Sequence, residues 1–595
     1  MLVKGNFKRP KDYVSSSIQF PLMHRTHTCG EIDSSLVGKR VVVAGWVVSL
    51  REIGKLNFVV LRDRYGEVQV VFEGKDVDFA LGYVLKVEGE VRKRPPEGIN
   101  PKMKSGEVEI YAEKWEILNE SKPLPFLPED KIDVQEETRL KHRVIDLRRP
   151  KMQRNMILRH EITLFIRNYM SNLGFLEMET PILTKSTPEG ARDFLVPSRL
   201  HKGKFYALPQ SPQLYKQVLM ASGFDKYFQI ARCFRDEDLR ADRQFEFTQL
   251  DVEMSFVSEI WDVINTIEPL VLEIFNRFGG ANLKGPLIAI SYFEAMERFG
   301  SDKPDLRYNV EFEDWTEKVK NWGVRVFEGV SKVKALRLPV LLSRGQIEKL
   351  MESYKFMYFK VENGKASGNL AKFLGEEDIK ENEGRTVFVF GGDGIGFLEN
   401  LGEFRALVCK NFLEKDRDWA GLWVVDFPLF YWNEEEKRLE SAHHIFTSPY
   451  EEDIKYLDDI EKALKERDEN ALRELSLKVR GKQYDLVING IELGSGSIRV
   501  HKAELQRRLL RIIGLSDSEI EDRFGFLMYA LEMGAPPHGG IALGLDRMVA
   551  MCAGEDSIRD VILFPKTAGG VALFENAPSE VSEEQLKELG IRVYE

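Results

Sequence analysis

The sequence predicts an α+β protein of several domains that begins with a small closed β-barrel. The chain has 595 residues, more than a single hydrophobic core usually serves. Its first 120 residues are dominated by short runs of β-forming residues, whereas a long helical pattern opens the part that follows. Three prolines within residues 121–131 mark a linker between these two parts.

The barrel is predicted from five runs that are rich in Val, Ile and aromatic residues. Glycines and prolines separate them, as is typical of turns between strands. Five short strands in so few residues suit a barrel such as the OB-fold. The predicted strands are residues 41–50, 56–63, 67–72, 83–91 and 107–118.

Beyond the linker, apolar residues recur at helical spacing over residues 152–173, which predicts a long helix. Residues 311–418 change in character and carry many charges, and the earlier motifs resume only near residue 423. We interpret this stretch as a domain inserted into another. Its glycine run at 391–396 lacks the Lys-Ser/Thr of a phosphate-binding loop and any clear following helix, so a turn is predicted there.

Composition excludes several classes of protein. The net charge of −11 excludes a wholly basic nucleic-acid binder, but residues 39–104 hold 13 Lys and Arg against 9 Asp and Glu. The four cysteines form no Cys-x-x-Cys pair, which fits a reducing cytoplasm. No apolar run approaches the roughly 20 residues of a membrane span. Residues 1–24 lack the apolar core of a secretory signal, which leaves a bacterial tail or an organelle transit peptide.

The basic barrel suggests a surface for RNA. Phe58 is predicted in mid-strand, with Arg51 and Lys55 nearby and Gln69 on the next strand. An aromatic ring flanked by cations can stack an unpaired base, and Gln69 could read a base edge. The alternative is that Phe58 belongs to the barrel core and the cations are merely solvated.

Three segments carry the stronger functional signal. Residues 174–183 read as a strand that follows the long helix, and residues 228–253 as two strands around a charged loop. Residues 539–551 read as a glycine-rich strand that leads into a helix, with Arg547 at the junction. In this order and spacing the segments resemble motifs 1, 2 and 3 of the class II aminoacyl-tRNA synthetases.

Further segments resemble the aspartyl-tRNA synthetases, and residues 311–418 resemble the insertion that marks their bacterial type. These segments are residues 186–199, 208–217, 300–307, 442–449 and 484–501. The resemblance implies an antiparallel β-sheet flanked by helices, an OB-fold that binds the anticodon, and a homodimer. The implied domains are an N-terminal extension 1–24, the barrel 25–120, a hinge 121–150, a catalytic domain at 151–310 and 419–560, the insertion 311–418, and a C-terminal extension 561–595.

The implied reaction activates L-aspartate with ATP and then transfers it to tRNA-Asp. Ile53 stands where some relatives with relaxed recognition have histidine, which favours strict use of tRNA-Asp and leaves tRNA-Asn as an alternative. By resemblance Arg235 and Arg547 are catalytic, and Asp485 and Glu492 hold Mg²⁺. The residues implied to contact ATP are Arg235, Asp236, Glu237, Gln244, Phe247, Glu492, Gly544, Leu545, Asp546 and Arg547.

The implied aspartate pocket supplies positive charge from Lys216 and Arg499. We expect that these cations, left unpaired by the neutral amide of asparagine, select against it. The implied aspartate contacts are Glu189, Gln213, Lys216, Arg235, Asp251, His443, His444 and Arg499, and the implied anticodon contacts are Arg51, Phe58 and Gln69.

Three residues depart from the family pattern. Phe245 and Ile445 stand where proline is usual, and Ser495 interrupts a run of glycines. Two alternatives remain. A relative that uses asparagine or lysine is disfavoured by the insertion and by the Lys216/Arg499 pair. A non-catalytic RNA-binding paralogue would have lost the ATP contacts that this chain keeps.

Overall fold

A computed structural model describes residues 24–74, 77–187, 190–320 and 322–594. The chain divides into two compact units, residues 1–154 with 573–575, and residues 155–572 with 576–595. The predicted N-terminal extension lies outside the described residues except for His24. No helix in the described part of the chain is long and apolar enough to cross a membrane.

The first unit contains a closed five-stranded barrel with the strand order β1-β2-β3-β5-β4. All five predicted strands are confirmed. Along each strand, apolar side chains alternate between the interior and the outer face, as Val59 and Leu61 do on either side of the half-buried Val60. The strands are β1 (Arg40–Ile53), β2 (Leu56–Asp63), β3 (Gly66–Glu73), β4 (Val84–Lys93) and β5 (Val108–Asn119). Two short helices follow them, α1 (Glu136–Lys141) and α2 (Arg143–Asp146).

The predicted long helix is confirmed as α3 (Pro150–Asn172). Most of it belongs to the second unit, where Ile162, Ile166 and Met170 enter the main core. The strand predicted at 174–183 is much shorter, β6 (Leu176–Glu177), because pairing with its neighbour extends over two residues before Pro181. A small hairpin and a helix come next, β7 (Leu195–Pro197), β8 (Phe205–Ala207) and α4 (Gln213–Ala221).

An eight-stranded sheet organises the second unit, in the order β11-β17-β20-β21-β22-β10-β9-β6. It is antiparallel except for the parallel pair at each edge. Its remaining strands are β9 (Lys226–Phe234), β10 (Glu246–Ser255), β11 (Ile288–Ser291), β17 (Gly421–Val425), β20 (Gln483–Ile488), β21 (Ile491–Ile498) and β22 (His538–Gly544). Helices α5 (Ile260–Phe278) and α6 (Tyr292–Phe299) lie between β10 and the inserted strands in sequence.

The charged stretch from residue 311 folds around a second sheet, with the order β12-β13-β16-β14-β15. Its strands are β12 (Phe312–Asp314), β13 (Lys332–Leu338), β14 (Met357–Glu362), β15 (Lys365–Ser367) and β16 (Thr386–Gly392). Its helices are α7 (Thr316–Val319), α8 (Arg344–Met351), α9 (Glu376–Glu381) and α10 (Gly394–Phe412). The expectation that no helix follows the glycine run was wrong, because α10 starts inside that run at Gly394.

The rest of the second unit surrounds the main sheet. This part of the unit comprises a hairpin and four helices, namely β18 (Phe430–Asn433), β19 (Arg438–Ser441), α11 (Tyr456–Glu466), α12 (Glu469–Ser476), α13 (Ala503–Ile512) and α14 (Asp517–Glu532). As predicted, β22 leads directly into a helix, α15 (Leu545–Ala553), and a short α16 (Glu583–Leu589) lies near the C-terminus.

Candidate active site

Four strands of the main sheet bring polar residues into one row. Asp251 on β10 pairs with Ala542 on β22, which pairs with Ser495 on β21, which pairs with Asp485 on β20. Directly paired residues of an antiparallel sheet have their side chains on the same face. Distant parts of the sequence therefore meet on one surface.

Alternate residues of β10 lie on this same face of the sheet, because side chains along a strand repeat with a period of two residues. Phe247, Gln249, Asp251 and Glu253 all point to it. Gly540, opposite Glu253, has no room for a side chain, because a Cβ there would lie 2.2 Å from a carboxylate oxygen of Glu253. Small residues on β22 thus leave space for charged groups above the sheet.

A cavity of about 250 Å³ lies on this face. Most residues that the sequence singled out for ATP or aspartate line it, and these are Gln213, Lys216, Arg235, Glu237, Gln244, Phe247, Asp251, His443, His444, Glu492, Arg499, Gly544, Asp546 and Arg547. Sequence reasoning missed further lining residues, among them Ser211, Asp242, Arg243, Thr248, Gln249, Ser495 and Ile558.

Three predicted residues are placed otherwise, and a fourth, Glu189, lies outside the described residues. Asp236 does not line the cavity, and its carboxylate is 3.7 Å from Arg192. The Leu545 side chain packs in the main core, which leaves only its main chain for a ligand. Asp485 is buried just behind the lining residue Ser495, which donates a hydrogen bond to it.

One end of the cavity holds a buried cluster of four charges. Lys216 Nζ is 2.6 Å from Asp251 Oδ1 and 3.1 Å from Glu253 Oε2. Arg499 donates two hydrogen bonds to Glu253, of 2.9 and 3.2 Å, and one of 2.7 Å to Ser497. All four charged residues are at most 2% exposed. Burial alone would raise the pKa of Glu253, but Arg499 and Lys216 together lower it to about 2.

This cluster corrects one expectation. Lys216 and Arg499 are matched in charge by Asp251 and Glu253, so neither cation is left unpaired when no substrate carboxylate is present. Selection against asparagine therefore has to come from hydrogen-bond geometry as well as from charge. Sequence reasoning missed Glu253, although its two-residue spacing from Asp251 was a usable signal.

Two buried polar atoms beside the cluster lack a protein partner. Within the described residues, Asp251 Oδ2 and Gln213 Nε2 make no hydrogen bond. Buried polar groups are nearly always satisfied, so such a pair is a sign of a ligand. One acceptor and one donor would suit a molecule that carries both an ammonium and a carboxylate group.

The histidine pair lies above the row of sheet residues. His443 Nε2 is 2.8 Å from Ser495 Oγ. His443 is exposed to the cavity, but the desolvation imposed by the surrounding protein lowers its pKa below the usual range, and the nearby His444, Arg499 and Arg235 act in the same direction. The ring is therefore neutral at pH 7 and can act through hydrogen bonds but not through charge.

The charges at the other end of the cavity are carried by the loop between β9 and β10 and by Arg547 at the start of α15. Arg235 lies over the Phe247 ring, with its Cζ 5.0 Å from the ring centroid. Arg547 pairs with Asp242 of the loop at 3.0 Å and donates to the Glu492 carbonyl at 2.8 Å. These contacts hold cations near an aromatic surface, as nucleotide binding requires.

Two residues that were predicted to contact ATP make hydrogen bonds to other residues of the protein. The Gln244 amide exchanges hydrogen bonds with the main chain of Lys566, of 2.7 and 3.1 Å. Asp546 accepts a 2.7 Å hydrogen bond from the Thr248 amide and pairs with Arg159. Both side chains line the cavity and also fix its walls.

Asp485 and Glu492 form a carboxylate pair at the edge of the cavity. Burial raises the pKa of Asp485 to about 8, and the charge of Glu492 adds to the shift, against hydrogen bonds from Ser495 and Gln483. A cation beside the pair would relieve this repulsion, so the donor set fits a hard divalent ion. In the described part of the chain, no group of three or more His, Cys, Asp or Glu is arranged to hold a metal by itself.

The predicted RNA-facing residues lie on the barrel of the first unit. Arg51 on β1 pairs with Phe58 on β2. Phe58 is half-buried and does not belong to the cluster that fills the barrel, as an outward-facing ring requires. Gln69 donates a 2.7 Å hydrogen bond to Glu109, so its amide is already engaged.

Comparisons with known proteins agree with this geometry. Residues 135–568 match the family described as tRNA synthetases class II (D, K and N), and residues 41–118 match the OB-fold nucleic acid binding domain. The chain belongs to the class II tRNA synthetases of this group.

Full-length relatives narrow the group. The chain is 47% identical to an aspartate–tRNA(Asp/Asn) ligase of Caldanaerobacter subterraneus, covering 96% of this chain and 98% of the relative. It is 48% identical to an aspartate–tRNA ligase of Fervidobacterium nodosum, covering 96% and 99%. The fold also resembles an asparaginyl-tRNA synthetase from Pyrococcus horikoshii, with a TM-score of 0.55 and 20% identity over 91% of this chain and 98% of that one.

Proposed function

We propose that the chain is an aspartate–tRNA ligase that forms aspartyl-adenylate from L-aspartate and ATP and then transfers the aspartyl group to tRNA. The observation that carries the proposal is one cavity with two ends. A buried, charge-matched cluster around Lys216 and Arg499 lies at one end, and the cations Arg235 and Arg547 lie beside an aromatic ring at the other.

In the first step the α-carboxylate of aspartate attacks the α-phosphorus of ATP, and pyrophosphate leaves. Arg235 is the candidate to contact both the carboxylate and the α-phosphate, because a guanidinium presents a planar fork of donors. Arg547 would reach the terminal phosphate once its exposed pair with Asp242 opens. No covalent enzyme intermediate is needed, so positioning and charge neutralisation supply the catalysis.

Asp485 and Glu492 would hold Mg²⁺ together with phosphate oxygens. The ion would counter the negative charge of the phosphates while the bond to the α-phosphorus forms and pyrophosphate leaves. The chain's own contribution is to keep the two carboxylates at the sheet edge, with Ser495 and Gln483 donating hydrogen bonds to Asp485.

Recognition of aspartate would use the cluster in its ion-paired form. The side-chain carboxylate of the substrate would accept hydrogen bonds from Lys216 and Arg499. The side-chain amide of asparagine has an NH₂ group where aspartate has a second oxygen, and this group cannot accept a hydrogen bond from Lys216 or Arg499. Donors that face each other without an acceptor are costly in a buried site. Asp251 Oδ2 and Gln213 Nε2, which lack partners among the described residues, would hold the ammonium and carboxylate ends.

The tRNA would bind through the barrel, with Phe58 stacking a base and Arg51 beside it. We propose tRNA-Asp as the substrate. Ile53 is exposed at the end of β1 and stands where some relatives carry histidine, so it supports strict recognition. The 47% identity to an aspartate–tRNA(Asp/Asn) ligase keeps tRNA-Asn as the second candidate.

We also propose that the protein is a homodimer. An apolar surface follows α3 and the segment after it, where several large hydrophobic side chains are exposed, namely Ile157, Leu164, Leu173, Leu176, Ile182 and Leu183. Large apolar side chains that are exposed over one stretch of the chain are expected at an interface. Sedimentation velocity would test the assembly, and a monomer at micromolar concentration would count against it.

The deciding experiment is ATP–pyrophosphate exchange without tRNA. We expect exchange that depends on L-aspartate and is far weaker with L-asparagine or L-lysine. Absence of exchange with all three would favour the RNA-binding paralogue. Charging of purified tRNA-Asp and tRNA-Asn would then decide the range of tRNA substrates.

A further inference from the structure

Ser495 occupies the centre of the proposed active site. It lies on β21 between Asp485 of β20 and Ala542 of β22. Its two neighbours must be glycine, because a Cβ on Gly494 or Gly496 would lie 2.4 or 2.3 Å from a main-chain oxygen of β22. Ser495 instead projects a hydroxyl into the cavity.

That hydroxyl connects two groups with different proposed roles. Its Oγ donates to Asp485 Oδ1 and lies 2.8 Å from His443 Nε2. Asp485 belongs to the carboxylate pair on the nucleotide side, whereas His443 belongs to the aspartate side. Among the described residues, Ser495 is the side chain recorded as hydrogen-bonding the His443 ring.

The geometry at this hydroxyl restrains the imidazole. His443 lies after β19 and outside the regular strands, whereas Ser495 is held in the middle of the sheet. A contact of 2.8 Å from Ser495 Oγ to His443 Nε2 therefore ties the ring to a rigid element. The bond from the same hydroxyl to Asp485 fixes the direction in which Ser495 points.

We propose that Ser495 is a positioning residue for aspartate recognition, which acts by holding the His443 ring in a fixed orientation beside Asp485. The inference rests on the proposed function. It adds that aspartate binding is linked, through one hydroxyl, to the carboxylate pair that faces ATP. In this chain the serine that interrupts the glycine run thus has a specific role.

The test measures binding and not turnover. L-Aspartate is titrated calorimetrically into the full-length protein in the presence of Mg²⁺ and a non-hydrolysable ATP analogue. Ser495→Ala is expected to weaken aspartate binding about fivefold to tenfold, the usual effect of one lost hydrogen bond. Ser495→Thr keeps the hydroxyl and should stay within about twofold of the parent, as should the control Ser255→Ala, a serine at the end of β10.

A double-mutant cycle shows whether the effect passes through His443. In a His443→Ala background, Ser495→Ala should cause no further loss of aspartate affinity, because coupled residues are not additive. Additive losses, a Ser495→Ala affinity equal to the parent's, or equal weakening of the ATP analogue would overturn the inference. A parent protein that binds no aspartate would instead overturn the proposed function.

Discussion

The two ends of the cavity are built in opposite ways. At the proposed aspartate end, the four charged residues are buried and joined by ion pairs and hydrogen bonds, namely Lys216, Asp251, Glu253 and Arg499. At the nucleotide end, Arg547 and its partner Asp242 are partly exposed, and Asp242 lies on a loop. Buried ion pairs hold the first end in place before substrate binds, whereas the second end is held by exposed ion pairs that water can replace.

This difference has an energetic consequence. Removing one member of a buried, hydrogen-bonded charge cluster leaves its partners uncompensated, which costs about 3–5 kcal/mol. An exposed ion pair contributes only about 0.2–1 kcal/mol. Substitutions at the aspartate end should therefore damage both stability and selectivity, whereas substitutions at the nucleotide end should tune affinity.

The largest effect is expected for Glu253→Gln. The substitution removes the charge that neutralises both Lys216 and Arg499, so the free energy of unfolding should fall by about 3 kcal/mol or more. Urea denaturation followed by tryptophan fluorescence would measure it, since Trp423 lies in the core of the same sheet. Glu246→Gln, on the same strand but in partly exposed pairs with Arg232 and Lys566, is the matched control and should cost less than about 1 kcal/mol per pair.

The same variant gives a pH dependence. The pKa of Glu253 is lowered to about 2 in the folded protein, so its ionised form stabilises the fold fully above the unfolded value of 4.5. The stability gap between parent and Glu253→Gln should be constant above pH 4.5 and shrink as the pH falls toward 2. A gap that widens on acidification would show that Glu253 is not the acidic centre of the cluster.

Next in size is Lys216→Met. Loss of this cation leaves Asp251 and Glu253 facing Arg499 alone, so the site should repel the substrate carboxylate. The KM for aspartate in pyrophosphate exchange should rise about a hundredfold, and the KM for ATP should stay within about threefold. Lys226→Met, an exposed lysine on β9, is the control. Equal damage to both KM values would contradict the assigned role.

The sequence predicted the positively charged residues of the site but not the full set of carboxylates that pair with them. Lys216 and Arg499 were predicted from the motifs. Glu253 was missed, although its two-residue spacing from Asp251 places it on the same face of the strand. Its ion pairs with Lys216 and Arg499, which come from distant parts of the chain, are visible only in the fold. Leu545 was predicted as an ATP contact by resemblance, as part of the motif that contains Arg547. Consecutive residues of a helix point in different directions, and Leu545 points into the core.

Regular elements were predicted better than irregular ones, for the same physical reason. The barrel strands and α3 follow strong local periodicity. The start of α10 was missed because Gly394 and Gly396 weaken the helical signal. Gln244 is held by Lys566, which is 322 positions away in the chain, and no local pattern could indicate that contact.

A substitution on the barrel tests a residue that lies at neither end of the cavity. Phe58→Ala on the barrel should lower tRNA charging about tenfold, as expected for one lost base-stacking ring. Adenylate formation should remain unchanged, because neither end of the cavity is altered. Both rates are measured on one preparation. A parallel fall in adenylate formation would show that Phe58 supports the fold instead of contacting tRNA.

The smallest effect is expected for Asp242→Asn at the nucleotide end. The variant keeps the shape of the loop but removes the anion that holds Arg547, so Arg547 becomes available to phosphate. The KM for ATP should fall by no more than about threefold, the scale of an exposed ion pair. The gap between parent and variant should narrow in high salt, because exposed charges are screened. A larger change in the KM for aspartate than in that for ATP would contradict the division of the cavity into a rigid and an adaptable end.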